Sequence, residues 1–287
     1  MSFCLRKQCD PFCPPVNILL EFLFDAFKTG GQHECGLGYS SINTIRSAVS
    51  AVATIDGMPA GQHPLVRRFL KAVYQQRPAL PRYSTTWDPE VVLKFIKSMG
   101  PNKRLTVLEL SAKLTMLMLL LSGQRGQTLY LLDTRNMQLT QHSATFQLGD
   151  LQKTSKPGFH LSQLVFKAYA PDRRLCVHTA LVAYLKRTLD NRGAVTRLFL
   201  TTKPPFRAAS RDTLRRWTRN LMTKAGIDTG IFAPHSVRSA ATSKAACYLP
   251  LATIINSIGW ASATTFTKYY NKTITNDSIA SAVLGKH

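Results

Sequence analysis

Apolar residues recur at three- and four-residue spacing along most of the chain, and the breaks in that period mark its organisation. Residues 1–15 are rich in Cys and Pro and are expected to form a flexible segment without regular structure. NILLEFLFDAF then sets Ile18, Leu19, Phe22, Leu23, Ala26 and Phe27 on one helical face. Gly30, Gly31, Gly36 and Gly38 predict a loop. A second helix is expected to follow Ser40 or Ser41, with Ile42, Ile45, Val49 and Val52 inward. A third spans HPLVRRFLKAVYQQ, with Leu65, Val66, Phe69, Leu70 and Val73 inward. The prolines of RPALPRYSTTW forbid a continuous helix and predict a linker, which puts the domain boundary near residue 84. Asp88-Pro89 restarts a helix, Asp as N-cap and Pro in the first turn. A long apolar helix over about 105–122 ends at Ser122-Gly123. Over 137–169 the pattern changes to short alternating runs around a Lys-Pro-Gly turn, predicting a small antiparallel sheet. The helical period returns after Cys176 and reaches the tail, where Ile279, Val283 and Leu284 share a face. The fold class expected is mainly α with a small antiparallel β-sheet, arranged as a helical domain over 16–84 and a second domain over 85–287.

Charge changes the picture most. Among 287 residues, 37 Lys and Arg face 15 Asp and Glu, a formal net charge of +22. So large a surplus repels itself unless a polyanion shares it, which favours nucleic acid first and an anionic membrane second. The membrane is the weaker reading. The most apolar stretch, Leu105 to Leu121, carries Glu109 and Lys113, whereas a spanning helix needs ~20 residues nearly free of charge. The opening residues lack the apolar run of a secretory signal, so the cysteines are expected to be reduced thiols. Cys4, Cys9 and Cys13, with His33 and Cys35, lack the paired spacing of a zinc site, and no metal is expected.

Five pieces then carry chemistry. In LSGQRGQTLYLLD, Arg125 lies just past a buried helix and a glycine turn, placed to be held toward a cleft. In LQKTSKPG, Lys153 and Lys156 flank a hairpin turn from which a lysine can reach a ligand held elsewhere. In APHSVRSAATSKAA, His235 and Arg238 share a face at a helix start, an arrangement suited to gripping phosphate. In IGWASATTFTKYYNK, Trp260 offers an indole N–H, and Tyr269 and Tyr270 follow nine and ten residues later. In SRDTLRRWTRNLMTK, Leu214, Trp217 and Leu221 form an apolar stripe while Arg211, Arg215 and Arg219 repeat on another face. Seven Lys or Arg from Lys203 to Lys224 meet one acid, Asp212, which favours a surface that tracks phosphates. Arg82 in the linker suits a strap across the same backbone. Each piece alone has a plainer reading: a surface arginine, a solvated turn, a capping histidine, a core tryptophan or a solvated helix face.

The order Arg, hairpin Lys, His-x-x-Arg, Gly-Trp, Tyr resembles that of the tyrosine recombinases, or phage-type integrases, over about residues 40–275. SGQRGQTLYLLD, PHSVRSAATSKA and GWASATTFTKYYNK are most similar to the recombinases of DIRS-type eukaryotic retroelements. The resemblance implies a core-binding domain that clamps DNA, followed by a catalytic domain. It implies that Arg125 and Arg238 hold the scissile phosphate and that Lys153, with Lys156 as runner-up, protonates the leaving 5′ oxygen. His235 then assists the phosphate and the nucleophile's proton, and Trp260 donates one hydrogen bond. The more general spacing of the family picks Tyr269 as nucleophile; the retroelement pattern TF-x-x-F-Y picks Tyr270, which is preferred. Where many members carry an acid shortly after the first arginine, this chain has Gly126-Gln127-Thr128.

The expected activity is DNA cleavage and rejoining through a 3′-phosphotyrosine, with no metal or nucleotide cofactor and no small-molecule substrate. It would serve recombination or integration of mobile-element DNA. Two alternatives stand: a type IB topoisomerase-like enzyme with the same chemistry, and a recombinase-derived DNA-binding protein that does not cut. The expected partner is duplex DNA, with a homotetramer on two sites, and the expected location is nuclear in a eukaryote and cytoplasmic otherwise.

Overall fold

The computed structural model describes residues 2–30, 36–78, 83–152, 155, 157–158, 163–260 and 262–274. The chain divides into two compact units, Met1–Arg82 and Tyr83–His287.

In the first unit, α1 (Ser2–Arg6) is a short helix within the segment expected to lack regular structure. Its Phe3 ring lies 5.2 Å from that of Phe22, an apolar anchor that Cys and Pro content does not reveal. α2 (Val16–Thr29) buries Leu19, Leu23 and Phe27, one stripe of its predicted face. α3 (Tyr39–Ser50) begins at Gly38 with no side-chain cap, ahead of the serines proposed for that role. Ile42 is buried and Ile45 and Val49 pack against the core, but Val52 lies beyond the helix and is 63% exposed. A two-residue hairpin, β1 (Thr54–Ile55) and β2 (Met58–Pro59), leads to α4 (Pro64–Gln76), which buries Val66, Leu70 and Val73. Leu65, predicted inward, is exposed, because the stripe of α4 runs through its i+1 neighbour.

The second unit starts with β3 (Thr85–Thr86) and α5 (Pro89–Ser98), and the Asp88 carboxylate accepts from the Glu90 N–H as the predicted cap. α6 (Val107–Ser122) is the central element. Thr106 and Glu109 close a capping box at one end, and Gly123 ends the helix at φ +59°. Ten of its residues, Leu110, Ser111 and Lys113 through Leu120, are buried, so it is covered on all sides. α7 (Gly126–Leu131) follows at once. β4 (Met137–Leu139), β5 (Ser143–Gln147) and β6 (Gln163–Lys167) form the predicted antiparallel sheet, in the order β4-β5-β6. Ala144, Phe146, Leu164 and Phe166 alternate inward along it.

α8 (Val177–Arg192) and α9 (Arg211–Lys224) complete the wrapping of α6. α9 buries Leu214, Trp217 and Leu221 as its stripe predicts. α10 (Ser236–Ala246), α11 (Leu251–Ile258) and α12 (Ala263–Tyr269) follow. The described chain ends with β7 (Thr273–Ile274), which pairs in parallel with β3. That bridge was not visible in the sequence: two two-residue strands leave no alternating pattern to detect. The predicted tail helix, with Ile279, Val283 and Leu284, lies outside the described residues.

Candidate phosphate-binding site

Arg125 owes its place to the way α6 stops. A Cβ on Gly123 would sit 3.0 Å from Ile258 Cδ1 and 3.2 Å from Thr242 Cγ2, so glycine serves both the left-handed turn and the close approach of α10 and α11. Gln124 is buried beside it and donates from Nε2 to the Ile258 carbonyl at 3.1 Å. Arg125 itself caps α7, and its carbonyl accepts from the Thr128 N–H at 2.9 Å. The half-buried arginine is thus held between two anchored turns.

α10 carries the second arginine. Its start is fixed by contacts far apart in sequence: Trp87 Nε1 donates to Ser236 Oγ at 2.9 Å, and the Ala233 N–H donates to Tyr83 Oη at 3.1 Å. The Tyr83 ring lies 5.7 Å from that of His235. Further along, Lys244 pairs with Asp88 at 3.4 Å. His235 is the exposed N-cap residue, whereas Arg238, in the first turn, is only 4% exposed.

Around Arg238, three of the predicted residues converge: Arg125, Trp260 and Tyr270. Its Cζ lies 4.8 Å from the Trp260 ring centroid and 5.2 Å from that of Tyr270. The two rings stack on each other at 4.8 Å and 28°. Nε, Nη1 and Nη2 of Arg238, and Nε1 of Trp260, are buried with no hydrogen-bond partner among the described residues. Burial pushes the Arg238 pKa down to about 9; the positive charge of Arg125 adds to the shift and Tyr270 opposes it. A guanidinium stays protonated under ordinary conditions, so the pocket concentrates positive charge and donors where the described residues supply no acceptor. An oxyanion with several acceptor oxygens is the complementary ligand.

The adjacent tyrosines differ. Tyr270 is half-buried and stacked in the pocket, while Tyr269 is 57% exposed. Arg211, Arg215 and Arg219 line the solvent side of α9. Arg211 lies over Tyr130, Arg215 is 3.7 Å from Asp212, and Arg219 donates to the Thr229 carbonyl. Lys153, Lys156 and Arg82 lie outside the described residues, as do His33 and Cys35 of the weighed zinc reading. Among the described residues, no three His, Cys, Asp or Glu side chains come together, and no helix is long and apolar enough to cross a membrane. Sequence reasoning missed Tyr83, Trp87, Gln124, Ser236 and Ser243. Each acts through a contact distant in sequence, for which only the Ser and Thr richness of PHSVRSAATSKA was a faint signal.

Neither a protein-family model nor a curated protein sequence matches the chain. Solved structures do, and those that match include site-specific recombinases and integrases. XerH site-specific recombinase, bound to palindromic difH substrate in a post-cleavage complex, superposes with a TM-score of 0.54 at 15% identity, over 87% of this chain and 67% of that one. The Tn1549 transposon integrase in complex with circular intermediate DNA gives 0.55 at 16% identity, over 96% and 86%. The same integrase with transposon right end DNA gives 0.54 at 15% identity, over 94% and 83%. The chain therefore shares the overall fold of these recombinase and integrase structures.

Proposed function

We propose that this chain cleaves and rejoins duplex DNA with Tyr270 as the nucleophile. The observation that carries the reading is the Arg238 guanidinium, buried and unpartnered at three nitrogens, with Trp260 and the stacked Tyr270 against it. A scissile phosphate placed there meets Arg238 and Arg125, and Trp260 Nε1 supplies one more donor. These groups stabilise the extra negative charge of the pentacoordinate transition state. The Tyr270 hydroxyl oxygen attacks phosphorus, and its proton passes to His235. The bond from phosphorus to the 5′ oxygen breaks, and that oxygen takes a proton from Lys153, an ammonium at neutral pH (Lys156 being the second candidate). The product is a 3′-phosphotyrosine and a free 5′-hydroxyl. Attack by a 5′-hydroxyl of the same or another strand reverses the step, so the phosphodiester energy is retained without a nucleotide cofactor.

The neighbours' fold and the +22 net charge support duplex DNA as the partner. The exposed arginines of α9 provide a surface for the flanking backbone, with Arg82 and Lys156 as further contacts. Recombination between two sites by a homotetramer, for a DIRS-type mobile element, is the biological setting that the motif resemblance favours.

The test is a nicked suicide duplex incubated with the protein in EDTA. A covalent adduct that Tyr270→Phe abolishes and Tyr269→Phe retains supports the reading. Loss only in Tyr269→Phe transfers the nucleophile to its neighbour. Binding without any adduct on cognate DNA supports a recombinase-derived binding protein, and relaxation of supercoils by a monomer supports topoisomerase-like action.

A further inference from the structure

Ser243 is buried near the end of α10, five residues after Arg238 and so about 7.5 Å further along the same helix. Its Oγ donates to the Tyr270 carbonyl at 2.7 Å and accepts from the Lys272 N–H at 3.0 Å. One hydroxyl therefore spans Tyr270 to Lys272 and uses both its donor and its acceptor capacity. On the other side of the same residue, the Tyr270 N–H donates to the Phe266 carbonyl at 2.8 Å, closing the end of α12. Phe266 is itself buried against Trp260, with ring centroids 5.7 Å apart. Beyond the clamp, Thr273 and Ile274 pair with Thr85 and Thr86.

Resting on the assignment of Tyr270 as nucleophile, we infer that Ser243 is a positioning residue that selects Tyr270 over Tyr269. The backbone of Tyr270 is pinned on both sides, its N–H by α12 and its C=O by α10. The helix bearing the clamp also bears Arg238, so the nucleophile and the phosphate-gripping arginine share one rigid frame. A one-residue slip of this segment turns side chains by about 100° and would exchange the two tyrosines. Without the Ser243 hydroxyl, the Tyr270 carbonyl and the Lys272 N–H lose their partner, and that slip becomes accessible.

The experiment compares wild type, Ser243→Ala and the near-isosteric Ser243→Cys on the nicked suicide duplex. It measures DNA affinity, single-turnover adduct formation and, by peptide mass spectrometry, the tyrosine attached. Both variants are expected to bind DNA within about twofold of wild type, since no phosphate contact is removed. They should cleave about tenfold more slowly, with part of the adduct moved to Tyr269. Ser243→Cys keeps the packing, so its result decides the matter if Ser243→Ala lowers the melting temperature. Wild-type rate with attachment only at Tyr270 in Ser243→Cys overturns the inference. Absence of adduct in the wild-type chain itself overturns the cleavage reading instead.

Discussion

Among the described residues of the second unit two cations are buried, Arg238 on α10 and Lys113 on α6, and neither has a hydrogen-bond partner there for its buried nitrogens. Burial is the first cause of a lowered pKa at both, to about 9 for Arg238 and about 8 for Lys113. Their surroundings diverge from there. Lys113 feels Asp172, which favours its charge, although that carboxylate is already held by Arg174 at 3.0 Å. An amine so placed can shed its proton and become a tolerable neutral group. Arg238 has no such outlet. A second cation, Arg125, sits near it, two aromatic faces cover it and an indole N–H lies unpartnered beside it. Burial alone thus does not mark a binding site. What sets Arg238 apart is a permanent charge, three unpartnered nitrogens and two aromatic faces, since Lys113 also has a like-charged neighbour in Arg174.

That contrast can be broken most sharply by activity. Arg238→Ala should lower single-turnover cleavage roughly 10²–10³-fold, the scale of removing one oxyanion donor, with DNA affinity little changed. Lys113→Met should leave cleavage near wild type, measured on the same nicked duplex. An equal loss in both variants would erase the distinction.

Stability should not follow that ranking. Arg238→Met removes a buried unpaired charge and is expected to raise unfolding free energy by on the order of 1–3 kcal/mol in chloride, read by urea melts. Sulfate should raise the melting temperature of wild type and Lys113→Met by more than that of Arg238→Met, the excess over its general stabilising effect measuring occupancy of the arginine site.

Lys113 should show itself through pH. The unfolded chain keeps this proton up to 10.5, the ordinary lysine value, whereas the folded chain releases it at about 8. Unfolding takes up a proton between those values, so stability rises as pH climbs from about 8 to 10.5 and is lowest below that window. In Lys113→Met this slope should disappear and stability at pH 7 should rise by roughly 1–3 kcal/mol, measured as urea midpoints across pH.

The smallest effect belongs to the exposed charges of α9. Arg215→Ala should reduce the log–log salt dependence of DNA binding by about 0.9 and weaken all sequences alike. No change in slope would place α9 away from the duplex.

Much of the second unit was legible in the sequence because its signals are local. Asp88-Pro89 announced α5, Gly123 the end of α6, and the stripe of Leu214, Trp217 and Leu221 the inward face of α9. Errors fell where packing overrides period. Val52 and Leu65 sit at face edges and point outward, and Phe3 finds an aromatic partner that gives α1 a reason to form. The order of Arg125, His235, Arg238, Trp260 and the tyrosine pair was readable as a motif, but the proximity of Arg125, Arg238, Trp260 and Tyr270 was not.

By itself, the sequence determined the period of most helices, the Asp88 cap of α5, the Gly123 end of α6, the small sheet and the excess of positive charge. All of these follow from backbone geometry and side-chain chemistry acting within a few residues. Only the tertiary structure decided that Arg238 lies buried against Trp260 and Tyr270, that Gln124 ties its turn to Ile258, and that Trp87 holds Ser236. It also separated two adjacent tyrosines that composition and spacing left as alternatives, stacking Tyr270 in the pocket and leaving Tyr269 in solvent. The reason is physical: burial and long-range hydrogen bonds depend on which elements meet, and a local pattern does not specify that.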